Sequence, residues 1–460
     1  MTQPGIPNYI LTIEPNRHQL ATHWFWLSVM SLLGAGVFSV LLVLARTPLI
    51  GAIIPYADFF HTALVIHVDL SVLVWILSFS GVLWSLAERP GYQVLTKAIF
   101  KAIVLATIMI ALAGFLPDAK PLMSNYIPVL EHPVFLAGLL LFGIAIGAQV
   151  ITTMSIIPPV GEEISAEGVL RFGLNCAAIS VLMAILALAW SWFTLPRQLV
   201  SEIYYELLFW GGGHILQNTY MLLMMISWLW LASVARIPFM MSERVVLLVI
   251  LVGLISTFIA PLIYYHYAVT DPMHRQMFTW LMSFGGSLAT FALGLAICYG
   301  LVQCKPQSAR ESSAYAALMS SLLLFGAGGV IGFMIDGNDV TVPAHYHGCI
   351  VGVTLALMGV AYDLLPRLGF TRVNFKWARI QLFTYAAGQF LHILGLVWSG
   401  GYGVERKVTI ADQGLQGLGQ TAGMGLMGFG GLLSAAGGFI FVVIALRALT
   451  TRPGHADDLK

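Results

Sequence analysis

Twelve long apolar stretches cover most of this chain and leave little room for anything except membrane-spanning helices. They lie at about 23–46, 58–87, 98–117, 131–157, 168–194, 202–235, 243–268, 275–303, 312–335, 342–366, 377–402 and 424–450. Each reaches the length of about 20 residues that a helix needs to cross a bilayer. Only 9% of the residues are charged, against about 25% in soluble domains. The sequence therefore predicts an all-α, polytopic membrane protein with twelve transmembrane helices.

The remaining loops are too short to hold a soluble domain. We therefore expect one membrane-embedded catalytic domain over residues 1–460, with short cytoplasmic tails at 1–20 and 451–460. The first residues lack the basic region and short apolar core of a cleaved signal peptide. The net charge of +1 argues against a nucleic-acid partner.

Lysine and arginine are more frequent in the loops after the second, fourth, sixth, eighth and tenth segments than in the opposite loops. Because basic loops stay on the cytoplasmic side, both termini are predicted to be cytoplasmic. The orientation fits a multi-pass protein of a prokaryotic inner membrane.

Seven of the twelve histidines fall inside the apolar segments, and the predicted orientation brings them to a common depth in the outer half of the bilayer. They are His61, His67, His214, His266, His345, His347 and His392. Histidine is costly inside a membrane and usually marks function, and a shared depth across five helices points to bound metal or haem. Five others fall in loops or at helix ends and are expected to be solvated or interfacial, namely His18, His23, His132, His274 and His455.

Two of these histidines are only two residues apart, in the string VPAHYHG. On a helix, positions i and i+2 point about 200° apart. One helix can therefore present His345 to one cofactor and His347 to another.

The strings NDVTVPAHYHG and GVAYDLLPRLG resemble the tenth-helix signature of the catalytic subunit of the haem-copper oxygen reductase and nitric oxide reductase superfamily. The resemblance covers nearly the whole chain, with histidines on helices 2, 6, 7 and 10, and it implies the twelve-helix arrangement of subunit I. It implies His345 as the ligand of a high-spin, active-site haem. It implies His347 as an axial ligand of a second, low-spin haem.

The second axial ligand of the low-spin haem should come from helix 2. The string HVDLSVLVWILSF is most similar to the helix-2 motif of B-type oxidases and nominates His67. His61 is the rival, because its position resembles that of nitric oxide reductases and C-type oxidases. Two imidazoles on one iron give a six-coordinate haem that passes electrons and leaves no site for a gas.

The string FWGGGHILQNTY resembles the helix-6 motif and nominates His214 as a ligand of a non-haem metal. Helix 7 usually supplies two adjacent histidines, but LIYYHYAVTDP keeps only His266 and has Tyr265 in the first position. Two imidazoles with an oxygen donor shift the preference from copper toward iron, and either metal stays open. Tyr265 is a candidate phenolate ligand, a hydrogen-bond donor to a bound gas, or a packing residue in a metal-free pocket.

Helix 6 departs from the family in a second way. Four residues after the helix-6 histidine, common oxygen reductases have a redox-active tyrosine and familiar nitric oxide reductases have a glutamate. This chain has Asn218, with Gln217 beside it, and neither supplies a phenol. Oxygen cleavage needs four electrons, whereas coupling two NO molecules needs two, so the departure favours NO chemistry. Three helix-7 residues are alternative sources of a phenol, namely Tyr264, Tyr265 and Tyr267.

Other polar residues extend the predicted site. Glu202 and Glu206 are candidates for a proton supply from the outer face, because an intramembrane carboxylate is a functional candidate by default. Arg406 and Lys407 resemble the basic pair that holds haem propionates, with a solvated loop as the alternative. His392 matches a helix-11 position near the haems and is expected beside them, not as a ligand.

The resemblance implies a terminal reductase with two haems, one low-spin with two histidines and one high-spin, and one non-haem metal, iron or copper. NO reduction to nitrous oxide is favoured over oxygen reduction. A haem-bearing sensor, an assembly factor or a non-catalytic paralogue is the alternative in another class. A transporter would not explain the paired histidines.

The chain contains no CxxCH motif and no cupredoxin domain, so its electrons must come from another protein. We expect a donor subunit with a c-type haem or a copper centre on the outer face. The other expected partners are membrane lipid and a small gas, NO or O2.

Overall fold

The computed structural model describes residues 8–47, 57–89, 91–161, 164–371, 373–407, 415 and 417–451. Within them, twelve helices are long and apolar enough to cross a membrane, which confirms the prediction from the sequence. They are α1 (His18–Arg46), α2 (Phe59–Ala87), α3 (Gln93–Ala113), α4 (Pro133–Ile156), α5 (Ala166–Thr194), α6 (Ser201–Val234), α7 (Glu243–His266), α8 (Pro272–Gln303), α9 (Ala309–Gly332), α10 (Thr341–Arg367), α11 (Phe375–Gly400) and α12 (Leu418–Thr450). Of the predicted tails, residues 1–7 and 452–460 lie outside the described residues, and the last three residues of the first tail already belong to α1.

Three of these helices are locally irregular. A π-helical turn over Asp69–Val74 interrupts α2, two residues after His67. A second π-helical turn, over Leu281–Gly286, interrupts α8. A 3-10 turn over Ser256–Ile259 precedes Pro261 in α7. Such turns are rare and frequently occur at functional sites, and here all three lie within three residues of a predicted site residue or a lining residue of a cavity described below.

The helices divide into two compact units, and each is described separately. The first comprises Met1–Ser28 and Leu73–Cys304. In it α3 packs along α4, and α5 packs along both α6 and α7. Between α3 and α4, strands β1 (Lys120–Leu122) and β2 (Val129–Glu131) pair antiparallel, with Lys120 opposite Glu131. This hairpin contacts α6 and fixes the loop between the strands beside that helix.

The second unit comprises Val29–Val72 and Lys305–Lys460. In it α9 packs along α10, and α11 packs along α12. Glycine permits close approach of the helices, because a Cβ on Gly348 of α10 would collide with the backbone of Gly328 of α9. Small residues are the usual means by which transmembrane helices approach. In the most apolar part of α10, 89% of the residues are buried.

Candidate functional site

Two predicted haem ligands in the second unit share one hydrogen-bonding pattern. Nδ1 of His67 lies 2.9 Å from the carbonyl oxygen of Ala35, and Nδ1 of His345 lies 2.7 Å from that of Gly328. A carbonyl only accepts, so in both rings Nδ1 carries the proton and donates it. Each Nε2 therefore keeps its lone pair, which is the arrangement of histidines that bind iron or zinc.

The pair on α10 diverges as its spacing predicts. The ring of His345 lies against α9, where a Cβ on Gly332 would collide with it. The ring of His347 lies against α11, with its centroid 4.8 Å from that of His392. His67 is close enough to His347 for the two to interact electrostatically. The structure thus brings His67, His347 and His392 together and leaves His345 on the opposite face of α10.

A pair of arginines lies at the same end of the second unit. Arg46 and Arg406 both interact electrostatically with Tyr346, and Arg46 also interacts with His347. Arg406 donates from Nε to the side-chain oxygen of Asn338 over 2.6 Å. Arg46 was missed in the sequence, although its place at the last position of an apolar helix is a usable signal. Two guanidinium groups beside these histidines suit carboxylate groups such as haem propionates.

The loop after α11 also holds the rival helix-2 histidine. Nε2 of His61 lies 3.0 Å from the carbonyl oxygen of Lys407 and donates to it. This nitrogen is the one that the ring of His67 leaves free. The hydrogen bonding therefore distinguishes the two candidates and favours His67 as the ligand.

These residues fit haem. His67, His345 and His347 are half-buried, although most of α10 is fully buried. Among the described residues, neither His67 nor His345 has a protein partner at Nε2, and cations lie nearby for propionates. Half-buried imidazoles in a membrane helix are costly without a partner, which a haem iron would supply.

His214 in the first unit differs from these histidines. It is buried on α6, and its Nδ1 donates to the carbonyl oxygen of Trp210 over 2.7 Å. Its Nε2 lies 2.8 Å from the hydroxyl of Tyr126 in the hairpin loop. Burial raises the pKa of Tyr126 and the charge of Glu206 raises it further, so the phenol keeps its proton and donates it to Nε2.

Glu206 holds the loop that carries Tyr126. One carboxylate oxygen accepts from the backbone N–H of Asn125 over 2.8 Å, and the other accepts from the Asn125 side chain. The predicted proton supply through Glu202 or Glu206 is untested by this arrangement and stays a prediction.

A small cavity lies beside His214. Its polar lining is His214, Asn218, Ser256 and Thr257, and it has room for roughly one water-sized molecule. The Asn218 amide donates to the carbonyl oxygen of Gly253 over 3.0 Å, so this residue is held by α7. Gln217 is half-buried on the same helix.

The structure does not bring the helix-7 candidates to His214. Tyr265 is 78% exposed and His266 is also exposed. Tyr264 is the buried one, with its hydroxyl 2.8 Å from that of Ser191. Because consecutive helical residues point about 100° apart, burial of Tyr264 turns the next two side chains away. Among the described residues, no group of three or more His, Cys, Asp or Glu side chains is placed to hold a metal ion.

His274 was expected to be solvated or interfacial, and that expectation is wrong. It is fully buried, with its ring 4.8 Å from that of Tyr264 and 5.1 Å from that of Phe278. Asp271 caps α8 by accepting from the N–H of Met273, so His274 already lies in the first helical turn. Within the described part of the chain, neither ring nitrogen has a hydrogen-bond partner.

The chain is similar to known proteins over most of its length. A family model described as "Cytochrome C and Quinol oxidase polypeptide I" matches residues 19–440. An uncharacterized protein of Rickettsia prowazekii (strain Madrid E) is 27% identical over 94% of this chain and 96% of its own length. One from Aquifex aeolicus (strain VF5) is 28% identical over 75% of this chain and 85% of its own.

Among solved structures, a heme-copper terminal oxidase dimer determined by cryo-electron microscopy matches with a TM-score of 0.71. It is 17% identical, and the match covers 95% of this chain and 85% of that one. At this identity the likeness shows the fold, and it confirms the predicted arrangement of subunit I.

Proposed function

Because this chain belongs to the cytochrome c and quinol oxidase polypeptide I family, we propose that it is the catalytic subunit of a membrane-bound terminal reductase of a small gas. The family consists of multi-pass membrane oxidoreductases that generally bind haems and a metal centre and accept electrons from partner proteins. The finer assignments below are our proposal.

The ligand geometry of the second unit carries the proposal. His67 and His347 would hold a low-spin haem, and His345 would hold a high-spin haem on the other face of α10. Bound haem supplies electron transfer at the first position and gas binding at the second. Ala35 and Gly328 fix the tautomers of His67 and His345 through their carbonyl oxygens, so both rings are oriented before a haem binds.

The same residues suggest how a haem would be positioned. Arg46 and Arg406 would hold propionates, and Lys407 adds a third cation in the same loop. His392 donates from Nδ1 to the carbonyl oxygen of Met427 over 2.9 Å and packs against His347. Its role would be to orient that ring and to exclude water.

We favour NO as the substrate, with nitrous oxide as the product. Asn218 occupies the helix-6 position of the redox tyrosine, and its amide is committed to Gly253. A reaction that takes two electrons can proceed without a phenol that supplies another.

Oxygen reduction is the second candidate, and one observation favours it. The hydroxyl of Tyr126 lies 2.8 Å from His214, so a phenol is present although it comes from the hairpin loop. Neither Tyr264, which bonds Ser191, nor the exposed Tyr265 has that position.

The remaining proposals concern the setting. We expect residues 1–460 to act as one catalytic domain in a prokaryotic inner membrane, with both termini cytoplasmic. The electron donor would be a subunit with a c-type haem or a copper centre.

Turnover of the purified protein on each gas tests the proposal. We expect a Soret band with the spectrum of a bis-histidine haem, and nitrous oxide formed when NO and an artificial electron donor are added. Oxygen consumption without nitrous oxide would select the second candidate. Haem without turnover on either gas would contradict the reductase and indicate a sensor or a non-catalytic paralogue.

A further inference from the structure

The site of the predicted non-haem metal is already filled by protein groups. His214 has only two ring nitrogens, and both are engaged, with Trp210 at Nδ1 and Tyr126 at Nε2. We infer that the hydroxyl of Tyr126 takes the place that a metal ion would otherwise have at His214. The α6 histidine is then the acceptor of a tyrosine–histidine pair and not a metal ligand.

The backbone of α6 is shaped to admit the tyrosine. A Cβ on Gly213 would collide with the side chain of Tyr126 at the base of its ring, so only glycine at this position allows the ring to reach His214. The ring then packs 4.6 Å from that of His214 and 5.6 Å, edge to face, from that of Trp210. A close approach that needs glycine indicates a defined packing position for this ring, not incidental proximity.

The loop that carries the tyrosine is fixed independently at two points. Strands β1 and β2 close it at its base. Glu206 binds both the backbone and the side chain of Asn125, one residue before Tyr126. Glu206 lies two helical turns before His214 on α6. The residue that holds the loop and the residue that accepts from Tyr126 therefore belong to the same helix. Glu206 and Gly213 are therefore positioning residues for the pair.

The other ligands that a metal would need are not at hand. Tyr265 and His266 are exposed, and the described residues offer no cluster of three donors. A catalytic metal site usually has three protein ligands. One imidazole with both nitrogens hydrogen-bonded does not meet that requirement.

The inference changes the chemistry expected in the cavity beside His214. A small molecule there would meet polar groups of Asn218, Ser256 and Thr257, beside the ring of His214, whose two nitrogens are already engaged. The role of Tyr126 is to fix the orientation and tautomer of His214 through its O–H donor. This deepens the proposed function, because it replaces the metal expected at the gas site with a protein hydrogen bond.

Elemental analysis of the purified full-length protein tests the inference. Iron, copper and zinc are measured on the wild type, Tyr126→Phe and His214→Leu, and haem iron is subtracted by the pyridine haemochrome assay. We expect no stoichiometric non-haem metal in any of the three. One equivalent of a metal in the wild type that is lost in His214→Leu would overturn the inference.

A second measurement detects the pair directly. In protein labelled with 13C-tyrosine, the infrared C–O band of a phenol that donates to an imidazole should be displaced. The displaced band should vanish in Tyr126→Phe and shift in His214→Leu. Tyr204→Phe is the matched control. Tyr204 lies near the start of α6, and its hydroxyl accepts a hydrogen bond from Arg197 and not from a histidine. A band that His214→Leu leaves unchanged would contradict the pair.

The two proposals can fail separately. A purified protein without a Soret band would contradict the haem assignments. The metal analysis and the infrared spectra would still test the hydrogen bond between Tyr126 and His214. A normal Soret band with a stoichiometric metal at His214 would overturn the pair and preserve the reductase.

Discussion

The histidines of the two units have the same kind of partner at Nδ1 and different surroundings at Nε2. His67, His345 and His214 all donate from Nδ1 to a backbone carbonyl. In the second unit, Nε2 of His67 and of His345 has no protein donor among the described residues, whereas in the first unit Nε2 of His214 accepts from Tyr126. A carbonyl at Nδ1 therefore orients an imidazole in either case, and the group at Nε2 distinguishes the proposed cofactor ligands from the histidine that holds a protein hydrogen bond.

Burial distinguishes the proposed haem ligands from two histidines of the first unit, although His392 of the second unit is buried as well. His67, His345 and His347 are half-buried, whereas His214 and His274 are buried. The first group is the set of proposed haem ligands. The second is closed in by tyrosine, tryptophan and phenylalanine rings. At His67 and His345, partial exposure thus accompanies an Nε2 that has no protein partner among the described residues.

The largest effect should follow from removal of a free-Nε2 histidine. His67→Leu is expected to lose the low-spin haem and to reduce turnover by more than about 100-fold, beyond the roughly 10–100-fold cost of losing an outer-shell partner. His61→Leu should keep the haem, because its Nε2 is committed to Lys407. Optical spectra and the haem-to-protein ratio measure both. Loss of the low-spin haem in His61→Leu alone would reverse the choice.

The two units also differ in the partners of a buried carboxylate. In the second unit Asp363 is paired with Arg310 and Arg367. In the first, Glu88 accepts from Thr153 and Gln149, and burial raises its pKa to about 7 in spite of the charge of Arg17.

A raised carboxyl pKa means that the folded state binds the proton more tightly than the unfolded state. The free energy of unfolding should therefore fall as the pH rises from about 4.5 to about 7, by up to about 3 kcal/mol. Glu88→Gln should abolish this dependence. Thermal unfolding in detergent across that range measures it, and an equal slope in wild type and variant would contradict it.

The packing of Tyr126 offers the next largest effect. Gly213→Ala should displace the ring from His214 and destabilise the protein by about 1–3 kcal/mol, the usual cost of overpacking. Gly143→Ala is the control, because a Cβ there meets nothing within 4 Å in α4, and it should be neutral or slightly stabilising. Unfolding temperatures compare the two. Equal values would show that the ring does not need the space at Gly213.

The smallest expected effect concerns the unpartnered histidine. His274→Leu should stabilise the protein by about 1 kcal/mol, because it removes buried polar atoms that have no partner among the described residues. His214→Leu should destabilise it by about 1–3 kcal/mol, since the Tyr126 hydroxyl would then be buried without an acceptor. A destabilised His274→Leu with reduced turnover would instead indicate that His274 binds a ligand.

The sequence by itself determined the twelve helices and the opposite orientations of His345 and His347. Apolar length specifies a spanning helix locally, so all twelve were predictable. The i, i+2 spacing on one helix likewise required His345 and His347 to face different neighbours. These properties depend on residues close together in the chain, and helical geometry converts them directly into structure.

Only the tertiary structure decided which groups meet these side chains. Tyr126 reaches His214 across 88 positions, and the rotation of α7 that buries Tyr264 leaves Tyr265 and His266 exposed. The burial of His274 and the approach of Arg46 to His347 likewise depend on how separate helices pack. The partner of a buried polar atom is supplied by whichever element folds against it, and no local pattern in the sequence carries that information.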